Sequence, residues 1–287
     1  MKKPRILSFD IETGLIPVWV FNLGKQVVTH NQLMTDDAVT DIICITYCWD
    51  NGKSGILSWD PSKGETSEKI ITEFDELVKS ADIVLGQNSD RFDVKHINTQ
   101  RLIHDLPPFP EWSINSEDTL KQVRKYFKFP SNRLDYMSRL FKFGGKQHTE
   151  LKDWKNIANY INTHKLINLA GRVVIKRLSV TLYGKDLDTI LKDGLKSLNL
   201  MKKYGLKDAK DTMKIWKKIR HHVVPKYNAA TTHTDIVCSN CGSKNIIKNG
   251  TRAVKKSVCQ FYYCKDHGGY AGKTVINKAG KEGRIGG

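Results

Sequence analysis

The chain has 287 residues, 39% hydrophobic and 27% charged, a balance that fits one large globular domain with a small companion and excludes a disordered or fibrous chain. Lys and Arg number 47 against 30 Asp and Glu, a formal net charge of +17. Such an excess favours a polyanionic partner such as nucleic acid, because neutralised phosphates release condensed counterions. No apolar run approaches the roughly 18 residues of a membrane span, and the N-terminus carries basic residues without an apolar signal segment. An intracellular, cytoplasmic location (host cytoplasm for a viral chain) with no membrane partner is therefore expected.

Residues 5–11 read as a buried strand and 14–40 as an irregular insert. Residues 42–49 are β-rich, Asp50-Asn51-Gly52 is a turn, and a strand at 54–59 completes a three-stranded meander. Residues 66–81 have helical periodicity, with Ile70, Ile71, Phe74, Leu77 and Val78 on one stripe. A short buried strand at 82–86 precedes helices at 91–104, 118–127 and 132–142. Residues 143–192 mix helix and strand signals and read as an insertion. A long helix follows from about 193 to 221, with Leu195, Leu198, Met201, Leu206, Ala209, Met213 and Trp216 recurring at helical steps. Residues 222–235 read as a linker, 236–275 as a small Cys-containing module, and the Gly- and Lys-rich 276–287 as a disordered tail.

Three carboxylate motifs carry chemistry. In Asp10-Ile11-Glu12, residues i and i+2 share one face of a strand, and two carboxylates side by side repel unless a hard cation with a taste for oxygen joins them. The plain alternative is a strand that merely ends on acids. Asn88 to Asp93 follows a strand at its C-terminal end, where α/β sheets gather ligand sites. Helix capping accounts equally well for Asn88, Ser89 or Asp90, and less well for Asp93, which is expected inside the first turn. Tyr204 and Asp208, at i and i+4, project together from one helix face, unless Asp208 only pairs with a nearby lysine.

In this order the motifs resemble those of the DEDD exonuclease superfamily, which includes the proofreading domains of DNA polymerases. Asp10 and Glu12 match its Asp-x-Glu motif, Asn88, Phe92 and Asp93 its second motif, and Tyr204 and Asp208 the third motif of its tyrosine subclass. Asp118-Thr-Leu-Lys and the stretch from Phe129 to Tyr136 look like phage-type, polymerase-B-like members. The resemblance covers about residues 5–221, with 143–192 poorly matched, Gly205 standing where Asn is expected and Ala209 where Val is usual. A rival third motif of the histidine subclass, His148 with Asp153, lies in a loop-like stretch, and Tyr204/Asp208 is preferred to it.

The resemblance implies a ribonuclease H-like α/β fold over 1–221, a mixed sheet flanked by helices, and 3′–5′ exonuclease chemistry with two Mg²⁺ or Mn²⁺ ions. Asp10 would bridge the ions, Glu12 and Asp208 would complete the first, Asp93 would hold the second mainly through water, and Tyr204 would orient the attacking water. Single-stranded DNA is the expected substrate, with RNA as the alternative and replication or recombination proteins as candidate partners. With no polymerase domain expected, a proofreading role would need a separate partner. A non-catalytic nucleic-acid-binding protein on the same fold is the reading from another class.

Six cysteines are present, four of them between 238 and 264. Cys238 and Cys241 have knuckle spacing, and Cys264 and His267 repeat it 22 residues later. Such pairs predict one tetrahedral structural Zn²⁺ site in a C-terminal zinc ribbon. A module this short with few large apolar side chains could hardly fold without metal. Cys259, an odd five residues before Cys264 in a strand-like run, is expected to face away. From residue 221 onward, 11 Lys and Arg stand against 3 Asp and Glu, which suggests a ribbon that grips nucleic acid.

Overall fold

The computed structural model describes residues 4–20, 25, 27–35, 38–107, 116–145, 149–224, 236–254 and 257–276. His148, the 225–235 part of the expected linker and the 277–287 part of the expected tail lie outside them.

β1 (Ile6–Thr13), β2 (Ile42–Trp49) and β3 (Ser54–Ser58) form the meander read from the sequence. β4 (Ile83–Gly86) and β5 (Ser116–Asp118) extend it to a five-stranded sheet in the order β3-β2-β1-β4-β5. The first three strands pair antiparallel, whereas β4 and β5 run parallel to β1. With helices on both faces, this is a mixed, ribonuclease H-like α/β sheet. β5 escapes a sequence reading because three residues are too few to show an alternation.

The parity of β1 divides the core. Leu7, Phe9 and Ile11 face α1 (Ser67–Lys79), and Phe9 packs on Phe74 at 5.1 Å between ring centroids. The even positions face α7 (Leu187–Ile219): Ser8 Oγ donates to the Ala209 carbonyl at 2.8 Å, and Ile6 joins Ile83, Leu85, Met213 and Trp216 in a second cluster. Burying both faces makes the sheet the middle layer and leaves the β1 carboxylates under α7.

α2 (Asp93–Ile103), α3 (Thr119–Tyr126) and α4 (Leu134–Leu140) fall where helices are expected. The 143–192 stretch differs from its mixed reading. Among its described residues it holds two helices, α5 (Leu151–Ala170) and α6 (Arg172–Tyr183), and the first turns of α7. Val173, Val174, Ile175, Val180 and Thr181 give α6 a strand-like composition, but burial of Ile175 and Ser179 at i and i+4 decides for helix. α7 begins six residues before the expected start, where the Asp186 side chain accepts from Thr189 N–H at 2.9 Å and caps it.

The C-terminal region forms its own three-stranded antiparallel sheet, β6 (Ile246–Val254), β7 (Ser257–Cys264) and β8 (Gly269–Ile276). Among the described residues, no helix is long and apolar enough to cross a membrane.

Candidate metal centres

The antiparallel register sets Asp10 opposite Thr46 and Glu12 opposite Cys44, so all four share the face of the sheet that α7 covers. Glu12 is buried and Asp10 half-buried. Burial, then Glu12, then Asp10 push the Cys44 thiol far up, which places both carboxylates over that thiol. α7 can lie this close because residue 205 is glycine. A Cβ there would stand 3.2 Å from Thr46 Cγ2 and 3.4 Å from Glu12 Cγ. The departure from Asn at this position is therefore a packing feature of the centre, a reason the sequence alone does not disclose.

Tyr204 and Asp208 come from the same turn of α7. The buried phenol is pushed well above its ordinary value, first by desolvation, then by Asp208, Glu12 and Asp10, and it hydrogen-bonds to Asp208. The phenol thus feels the three carboxylates together. It stays protonated, because ionising it would add a fourth negative charge to a dry site.

Asp93 arrives from the other side. The last β1–β4 pair is Ser8 with Leu85. Beyond it, Ile11 N–H donates to Asp93 Oδ1 at 3.1 Å, so the first residue of α2 is pinned to the peptide between Asp10 and Glu12. Burial is the main cause that pushes the Asp93 carboxyl up to about 7; the hydrogen bond from Ile11 opposes this and the charge of Asp118 adds to it. The turn that delivers Asp93 is tight. A Cβ on Gly86 would sit 2.2 Å from Ser89 Cβ, and Asn88 takes a left-handed φ of 66°, which Asn tolerates better than most residues.

Sequence reasoning misses Asp118 as a site residue. It caps α3 by accepting from Leu120 N–H at 2.9 Å, accepts from Asn88 N–H at 2.9 Å, and is raised chiefly by burial. It therefore holds the Asn88 turn and acts on Asp93 at a distance. Its position just before a helix signals a cap, and that signal hides this second role. Asp153 of the rival motif is engaged elsewhere, accepting from Ser197 Oγ at 3.0 Å and from Glu150 N–H at 3.0 Å at the start of α5.

The second centre is local. One donor atom from each of Cys238, Cys241, Cys264 and His267 falls within 4.8 Å of the others. Cys241 Sγ lies 3.3 Å from His267 Nδ1 and 3.7 Å from Cys264 Sγ. Cys238 holds its proton, and its hydrogen bond helps lower Cys241 to about 4; His267 lowers Cys241 further. A thiolate-bearing set of three sulfurs and one imidazole, mostly buried, fits a tetrahedral zinc ion, and the cluster could bind one. Tyr262 and Cys264 lie on the inner face of β7 with Cys238 and Ala271. Cys259 is buried but outside the cluster, as its odd spacing from Cys264 requires.

The ribbon rests on the end of α7. The His267 and His221 rings stack at 4.8 Å, and Asn240 Nδ2 donates to the Arg220 carbonyl.

No protein-family model matches the chain, and no curated protein matches it. Among solved structures it is similar to the family B DNA polymerase from the hyperthermophilic archaeon Pyrobaculum calidifontis, at 14% identity and a TM-score of 0.48. The similarity covers 75% of this chain and 24% of the polymerase, so the chain spans about a quarter of that protein's length.

Proposed function

We propose that the chain is a metal-dependent nuclease that shortens single-stranded DNA from its 3′ end. In this reading Asp10, Glu12, Asp93 and Asp208 hold two Mg²⁺ or Mn²⁺ ions. The observation that carries it is the meeting of Asp10 and Glu12 of β1 with Asp208 of α7 around the buried phenol of Tyr204, while Asp93 of α2 is tied to the same strand through Ile11 N–H. The motif resemblance and the net charge of +17 point the same way.

The donor set fits hard cations. Every candidate ligand is a carboxylate oxygen, and Asp93 shows that burying negative charge here has a cost that a divalent ion would offset. When bound, such ions stabilise the attacking and leaving oxygens of an in-line displacement. The chain's own residues do the rest. Asp93 is fixed by Ile11 N–H, so the motifs from β1 and α2 keep register. Tyr204, held protonated, orients a water by hydrogen bonding and is no candidate for the base. The Cys/His module, closed in its ligand set, serves as a zinc-stapled nucleic-acid grip.

A time course on 5′-labelled single-stranded DNA with Mg²⁺ or Mn²⁺ tests the proposal, with Asp10→Ala alongside. A shortening ladder that slows in the variant by at least about 100-fold is expected, the scale of losing one key electrostatic stabiliser. No metal-dependent shortening, or a ladder unchanged in Asp10→Ala, would overturn it.

A further inference from the structure

Beside Asp208 opens a cleft of about 610 Å³ whose wall carries Arg91, Arg124 and Arg133 together with the amides of Gln87 and Asn132. We infer that this cleft is the track for the sugar–phosphate backbone of an unpaired strand, with the three arginines gripping its phosphates. The inference rests on the nuclease reading for what happens at Asp208, and it adds which residues hold the substrate.

The arginines come from three segments: the turn before α2, α3, and the residue that precedes α4. All three are exposed. Among the described residues, the ion-paired arginines are Arg101, Arg139 and Arg172, and these three are not among them. Carboxylates at hand are engaged with other cations: Asp90 with Lys121 at 2.6 Å and Asp135 with Arg139 at 2.9 Å. Asp135 and Asp208 also line the cleft, so its three guanidiniums outnumber its carboxylates and leave it net positive, which favours an anion. Their planar forks suit phosphate oxygens, which they can take two at a time.

The wall is also braced. Gln87 Nε2 donates to the Asn132 carbonyl at 3.1 Å, and Gln87 Oε1 accepts from Thr119 Oγ1. One side chain thereby ties the turn after β4, the start of α3 and the segment before α4, the three pieces that bear the arginines. The volume falls in the range of small-ligand pockets. It has room for a nucleotide or two of a single strand.

The test separates binding from cleavage. The full chain with its zinc, carrying Asp10→Ala, is titrated with a fluorescent single-stranded oligonucleotide across a salt series without added Mg²⁺ or Mn²⁺. The same titration is run with Arg91→Gln, Arg124→Gln and Arg133→Gln combined. Each phosphate that is no longer neutralised lowers the slope of log K against log salt by about 0.7 for a single strand. A drop of about 0.7–1.4 is therefore expected for the one or two phosphates that the cleft holds, with affinity at low salt falling at least about tenfold. In the otherwise native chain, the same three substitutions raise KM while kcat stays within a few fold. A blunt duplex binds more weakly and is indifferent to the substitutions.

Because the arginines are exposed, an unchanged melting temperature confirms that the variant is folded, and Arg→Lys at the same positions restores most of the slope. An unchanged slope in the folded triple variant overturns the inference, as does an equal loss of duplex binding. If the slope drops as expected but the native chain cleaves nothing, the cleft stands and the nuclease reading falls. If cleavage is present and the slope is unmoved, the reverse holds.

Discussion

The two candidate metal centres are built on opposite plans. The proposed carboxylate centre would draw its oxygens from β1, α2 and α7, and Asp10 and Asp208 lie nearly the length of the sheet domain apart in the chain. It sits over a core that includes Phe9, Phe74 and Trp216, all fully buried, so the fold around it stands without an ion. The Cys/His centre takes all its donors from two short knuckles, and its core is Cys238, Tyr262, Cys264 and Ala271 with Ile246 and Cys241 packed against them. There the ligands are most of the core. On the proposed reading, a metal at the first centre would serve chemistry, whereas at the second it would supply folding energy.

Removing metal should therefore break the two regions differently. Cys264→Ser, or a zinc chelator, is expected to strip protection from the β6–β8 amides in hydrogen exchange, because structural zinc contributes on the order of 10 kcal/mol to such modules. The β1 and β2 amides should keep their protection. Among the described residues, the His221–His267 stack and the bond from Asn240 to Arg220 link the ribbon to the 3-10 turn Arg220–His222 that follows α7, a thin joint for carrying the unfolding into the sheet. Loss of protection in β1 along with the ribbon would show that the two regions are one cooperative unit.

A smaller effect sharpens the account of the carboxylate centre. Tyr204→Phe deletes the hydroxyl that hydrogen-bonds to Asp208 and leaves the ring in its packing. If the phenol orients water and moves no proton, cleavage should slow by about tenfold, roughly 1.4 kcal/mol of barrier. The pH profile of the residual activity should keep its shape. A profile that loses a limb in the variant would make Tyr204 an acid or base instead.

The contrast in plan also explains what is legible in the sequence. The knuckle pairs announce themselves by spacing, and the parity argument that sets Cys259 aside holds because β7 is a regular strand where it matters. The strands and helices up to residue 142, β5 excepted, are visible because apolar alternation and helical stripes there agree with what is buried. Asp10, Glu12, Tyr204 and Asp208 can be placed on faces, since i and i+2 or i and i+4 are local rules. That α7 presses Gly205 against Thr46 and Glu12, that Asp93 accepts from Ile11 N–H, and that Asp118 braces the Asn88 turn are tertiary facts with no local period. The 143–192 stretch misleads for the opposite reason: β-branched residues in α6 speak for strand locally, and packing against neighbouring helices overrules them.

A last prediction isolates the electrostatics of the hard-ion centre. Asp93 has an ordinary carboxyl value of 3.8 and is pushed up to about 7 in the folded chain, with burial as the main cause. Between those values the folded state keeps a proton that the unfolded state has lost. Without divalent ions, stability from this group therefore falls as pH rises from about 4 through 7, the reverse of a salt-bridged carboxylate. Asp93→Asn removes the ionisation and can still accept from Ile11 N–H through its amide oxygen. The variant should melt at the same temperature as the parent near pH 4, and higher at pH 8 by an amount worth roughly 1–4 kcal/mol. Adding Mg²⁺ at pH 8 should reverse the order, since an ion at 100 times its Kd stabilises the parent by about 2.7 kcal/mol and finds a poorer site in the variant. The same Mg²⁺ addition should leave a Cys264→Ser ribbon unprotected, because a hard cation does not replace zinc among thiolates. Equal stabilisation of parent and Asp93→Asn by Mg²⁺ would show that Asp93 holds no ion, and would return its burial to a purely structural cause.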